Sequence, residues 1–155
     1  MCEEFNKALV EASIRTFVVY FEKKIQVFNH MVLDSKGSPS EICSLIGLNG
    51  FYTGVLMFKC SFALALIMAK KIHNKDLVES SPEVNDTIGE ILNTISGSAK
   101  KNINCNGEPY LISTPMVVGG SNYGVFNIHN QPINSIKFMY DKYNFFIEYF
   151  LRNPK

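Results

Sequence analysis

Apolar positions recur at helical spacing in three stretches of the chain and at strand spacing in most of the rest. From Glu4 to about Glu22, Phe5, Leu9, Ala12, Phe17 and Tyr20 track around a helical face, and Lys24 to Leu33 then changes to a two-residue period through Ile25, Val27, Asn29, Met31 and Leu33. The segment Ser35–Ser40, SKGSPS, is loop chemistry. Glu41–Leu48 and Phe51–Lys59 are two strand-like runs on either side of Asn49-Gly50, the dipeptide best suited to a two-residue hairpin turn because both residues accept positive φ. Ser61 is placed to cap a helix running to about Ile72, with Lys70 and Lys71 where cations suit the helix dipole and Asn74 placed to end it.

The strongest periodicity lies at 80–103, SSPEVNDTIGEILNTISGSAKKNI. Ser80 or Ser81 can cap the helix, Pro82 suits its first position, and Glu83 stands three residues after Ser80 as in a capping box. At about 100° per residue, Val84, Ile88, Ile91, Ile95 and Ala99 form one stripe with Leu92 at its edge, which predicts a core-facing side. Asp86, Glu90, Asn93 and Gly97 fall opposite, within about 60° of one another, and face a partner or water. Beyond this helix come the turn cluster NCNGEP, then strand-like PYLISTPMVV, a GGSNYG turn, VFNIH, SIKFMY and FFIEYFLR. Their aromatics, from Tyr110 to Phe150, exceed what one face of a small sheet hides, so a subunit interface is expected there.

Composition narrows the classes. A chain of 155 residues with 46% hydrophobic and 19% charged residues is read as one globular domain over 1–155. The 15 basic and 14 acidic residues form no basic block, so nucleic acid is not expected as a partner. Cys2, Cys43, Cys60 and Cys105 show no CxxC pair, and His30, His73 and His129 are as dispersed, so no metal site and no disulfide framework is expected. Reduced thiols, the polar start at Cys2–Lys7 and an apolar stretch, Thr53–Ala69, that is short and broken by Lys59 lead to a cytoplasmic reading with no membrane span.

With the elements in order, DTIGEILNTISGSAKK resembles the Asp/Ser-x-x-x-Glu-x-x-Asn helix of the CheC, CheX and FliY chemotaxis phosphatases at Asp86, Glu90 and Asn93. Pro115 stands where that motif expects its proline, and GLNGFYTGVLMF and TPMVVGG look like the family's hairpin and proline-led strand. The likeness covers roughly 41–120, and the single copy of the motif together with the chain length is most similar to the CheX branch. The resemblance implies an α/β (α+β) fold with long helices on a mainly antiparallel sheet, a homodimer, and removal of the aspartyl phosphate of a CheY-type response regulator.

The chemistry agrees in one respect. Glu90 and Asn93 have no nucleophile, histidine or metal cluster beside them in the sequence, so they need chemistry supplied from outside. In the family reading Asn93 orients the attacking water, Glu90 engages the regulator's active-site lysine, and the regulator brings its own Mg²⁺, this chain needing no cofactor. Asp86 tunes docking, while Gly89 and Gly97 leave room for the partner. Without the resemblance the same stripe is the solvated face of an amphipathic helix. Two rivals follow: a noncatalytic adaptor for a regulator or flagellar switch, and a structural oligomer that works through its aromatic strands.

Overall fold

The computed structural model describes residues 2–34, 36–103, 110–120, 123–126 and 131–152, with the backbone alone for Cys2. Within them lie α1 (Cys2–Phe21), β1 (Gln26–Leu33), β2 (Ile42–Gly50), β3 (Thr53–Cys60), α2 (Phe62–His73), α3 (Pro82–Lys101), β4 (Tyr110–Ile112), β5 (Met116–Gly119), β6 (Ile133–Tyr140) and β7 (Tyr143–Arg152). The strands form one sheet in the order β1-β6-β7-β3-β2-β4, with β5 also on β2, and all the pairings are antiparallel. The expected turn at NCNGEP and most of VFNIH, with Cys105 and His129, lie outside the described residues.

All three helices pack on one face of this sheet. The α3 stripe Val84, Ile88, Ile91, Leu92, Ile95 and Ala99 is buried as its spacing requires. α1 brings Phe17 onto Phe145 in a near-parallel stack at 4.8 Å, and Phe138 and Phe58 stack on the same ring at 5.0 and 5.1 Å. Tyr110, Phe138, Tyr140, Phe145 and Tyr149 are therefore spent on this chain's own core, with Phe146 and Phe150 half-buried and Phe126 exposed. The aromatic surplus that suggested an interface is mostly explained by three helices covering the sheet.

Three local expectations are corrected. Asn49-Gly50 does not make the hairpin turn: Leu48 pairs with Gly54, and Asn49 and Gly50 stay in β2 opposite Leu111 and Tyr110 of β4. A two-residue turn would slip the register by three, an odd number that sends Leu56 and Phe58 to the opposite face. In the register observed they lie across from Ile46 and Ser44, both buried, and Tyr52 in the loop is buried against Phe5 and Tyr110. Burial of three large side chains outweighs turn preference.

The second correction concerns the start of α3. Ser81 is its N-cap, but the Ser81 Oγ accepts from Val78 N–H at 3.0 Å, not from a helix amide, and Glu83 is ion-paired with Lys75, so no capping box forms. Ser61 does cap α2, accepting from Leu64 N–H at 3.2 Å, and Asn74 ends it in the left-handed region. The third concerns PYLISTPMVV, where Ser113–Pro115 split the expected strand into β4 and β5. β1 is the strand its alternation predicts, and it lies exposed on both sides at the sheet edge, with a register shift between Val27 and Asn29.

Candidate functional site

Three polar ties help set the rotation of α3, one each from β2, α1 and α2. Ser44 Oγ of β2 donates to the Ile88 carbonyl at 3.1 Å, Tyr20 of α1 hydrogen-bonds Thr94 at 3.0 Å, and His73 at the end of α2 meets Thr87 at 3.2 Å. With the apolar stripe pinned this way, Asp86, Glu90 and Asn93 are exposed and Gly97 half-exposed on the outward side. Asp86 and Glu90 stand one turn, about 6 Å, apart along the axis.

None of these three side chains has an ion pair or hydrogen bond among the described residues. Asn93 contributes only its carbonyl, which accepts from Ser96 Oγ at 3.0 Å. Two carboxylates and an amide thus face outward on a rigid helix, with all donors and acceptors open.

Gly89 departs from the expectation of an open approach. It is buried, and a Cβ built on it would lie 3.5 Å from Pro115 Cγ and 3.6 Å from Val117 Cγ2, so its missing side chain admits this chain's own β5. A Cβ on Gly97 would meet nothing within 4 Å. Pro115, the motif's expected proline, lines a groove with Asn85, Asp86, Gly89, Glu90 and Val117. Sequence reasoning missed Asn85 and Val117, and register supplies the reason for the second: Val117 pairs with the buried Ser44 and so faces α3.

The groove holds no nucleophile of its own. Cys43 and Cys60 are free and buried in the sheet, where burial pushes the Cys43 thiol up to about 12 and the Cys60 thiol higher, so both are protonated at neutral pH. Among the described residues no group of three or more His, Cys, Asp or Glu is arranged to hold a metal, and no helix is long and apolar enough to cross a membrane. What this surface can do is present a hydrogen-bonding amide and a carboxylate to a reactive centre on another molecule.

Comparison with known folds gives close likenesses across almost the whole chain. CheX from Vibrio vulnificus superposes with TM-score 0.85 at 21% identity, covering 96% of this chain and 99% of that one. CheX from Desulfovibrio desulfuricans gives 0.83 at 20% identity, with 96% and 99% covered. The CheX of the CheX-CheY-BeF3-Mg+2 complex from Borrelia burgdorferi gives 0.77 at 17% identity, with 96% and 98% covered. A search of curated protein sequences returns no match. The family model described as Chemotaxis phosphatase CheX matches residues 42–139, a span that holds α3, its outward stripe and Pro115. A match over more than half of the chain, on top of this fold, makes the protein a member of the CheX chemotaxis phosphatase family.

Proposed function

We propose that this protein binds a phosphorylated CheY-type response regulator and hydrolyses its aspartyl phosphate, with Glu90 and Asn93 inserted into the regulator's site. One observation carries the reading: Glu90 and Asn93 are exposed neighbours on α3 whose side chains have no hydrogen-bond or ion-pair partner among the described residues. Family membership and the likeness to a CheX solved together with CheY, BeF3 and Mg+2 support it.

In this reading the Asn93 amide accepts one hydrogen bond from a water and holds its oxygen in line with the phosphorus. The water oxygen bonds to phosphorus, the P–O bond to the aspartate breaks, and inorganic phosphate leaves with the carboxylate restored. Glu90 pairs with the regulator's active-site lysine and fixes the register of docking. The regulator contributes Mg²⁺ to neutralise charge on the phosphoryl oxygens. Glu90 positions; it does not act as the base. The protein works in the cytoplasm as a homodimer, a state that sedimentation equilibrium at micromolar concentration checks directly.

Loss of radiolabelled phosphate from such a regulator, alone and with wild-type, Glu90→Ala or Asn93→Ala protein, tests the chemistry. Wild type accelerates the loss, and Asn93→Ala loses at least about tenfold in rate, some 1.4 kcal/mol of barrier, while still binding. Binding with no acceleration by wild type makes the protein an adaptor instead.

A further inference from the structure

We propose that the regulator places a second cationic side chain, beyond its active-site lysine, in the groove upstream of Glu90, and that Glu79 is a specificity residue for that contact. The inference rests on the regulator reading above and concerns how the partner is recognised. The groove beside Glu90 continues past Asn85 and Val117 into a depression reached by Phe62, Glu79 and Gly119. Its floor is apolar, built by Phe62 at the start of α2 and by Pro115 and Val117, all half-buried. Its rim carries the exposed carboxylates of Glu79, Asp86 and Glu90.

No lysine, arginine or histidine lines either part of the groove among the described residues. Two cations near the loop before α3 are committed elsewhere: Lys75 in that loop pairs with Glu83, and Lys70 in the last turn of α2 reaches Asp76 at 3.4 Å. Glu79, Asp86 and Glu90 have no ion pair among the described residues. Three like charges along one groove repel one another and attract a partner of opposite sign. A single lysine held by Glu90 leaves the negative potential of Asp86 and Glu79 unmatched. The occupant that satisfies both floor and rim is a regulator segment with a Lys or Arg next to an apolar side chain.

Glu79 suits a test because it is exposed, lies outside α3 and its side chain has no hydrogen bond or ion pair among the described residues. The probe is the CheY-type regulator of the same cell, locked with beryllofluoride and Mg²⁺, titrated by calorimetry at low and high salt. Glu79→Gln weakens binding about threefold and Glu79→Lys about tenfold near 50 mM salt, as expected for rim charges. Both differences shrink near 300 mM, where the Debye length falls to about 6 Å. The dephosphorylation rate at saturating protein stays at the wild-type value. Affinities and salt dependence equal to wild type, with Asn93-dependent turnover intact, overturn the groove and leave the phosphatase reading standing. No binding of the locked regulator to wild type overturns both.

Discussion

Pro115 packs over Gly89, its Cγ 3.5 Å from where a Cβ on that glycine would stand. The contact sets β5 against the turn of α3 that ends in Glu90, so the motif's proline belongs to the scaffold of the proposed site. It also separates the two helix glycines, one closed over by its own chain and one open.

Gly89→Ala is expected to stabilise the protein. The new methyl would sit 3.5 to 3.8 Å from Pro115 and Val117, ordinary contact distances, while the helix gains about 0.5–1 kcal/mol of propensity. Thermal unfolding followed by circular dichroism should show a rise of roughly 2–4 °C. A lower midpoint means that β5 cannot accept even a methyl.

Gly97→Ala should raise the midpoint by a similar amount, because nothing lies within 4 Å of its Cβ position, and should weaken binding of the regulator. Stability and affinity then move in opposite directions. An alanine that stabilises without loss of affinity removes Gly97 from the docking surface.

On the far face of the sheet, buried Lys59 pairs with buried Glu148 at 2.9 Å. The same carboxylate accepts from Ser38 N–H at 2.8 Å and Ser135 Oγ at 2.9 Å, and Lys59 donates to the Ser38 carbonyl at 3.1 Å. A side chain at Gly37 would collide with both charged groups, so the pair would have to shift to admit one. Lys59→Met and Glu148→Gln should each cost about 3 kcal/mol or more in urea denaturation by leaving one buried charge uncompensated. The double variant should cost much less than the sum, since Gln still accepts from Ser38 and Ser135. Additive losses count against coupling of the two charges.

The buried thiols give a pH dependence whose sign is fixed. Cys43 is raised from 9.0 to about 12, mainly by burial, so above pH 9 the unfolded chain loses a proton that the folded chain keeps. Stability from this source is whole below pH 9 and falls as pH rises toward 12, by up to about 1.4 kcal/mol per pH unit. Cys43→Ala should flatten that fall in denaturant midpoints measured from pH 8 to 10.5, whatever its effect at neutral pH. An unchanged slope sinks the assignment.

The three helices were legible because their apolar stripes and lengths agree: the α3 stripe from Val84 to Ala99 is buried, and Ser61 and Asn74 delimit α2 as read, although the expected capping box of α3 does not form. The outward stripe followed from the same periodicity. Asn49-Gly50 misled because turn chemistry is local, whereas register depends on Leu56, Phe58 and Tyr52 reaching a core built from distant segments. Gly89 was misplaced for a related reason. Helical spacing reports the angle of a residue on its own helix and is blind to Pro115, at the entry to β5, covering that angle. The continuation of the groove to Glu79 and Phe62 depends on how three elements meet, which no pattern within one element records.

The side chains of Asp86, Glu90 and Asn93 make no hydrogen bond or ion pair among the described residues, and this uncouples activity from abundance. Substitutions there should leave a normally folded, protease-resistant population at full cellular level. An Asn93→Ala protein that still docks would occupy phosphorylated regulator without consuming it, shielding the signal from any other route of decay. Inactivity at this surface would behave in the cell as a dominant trait, quite unlike the loss of the protein itself.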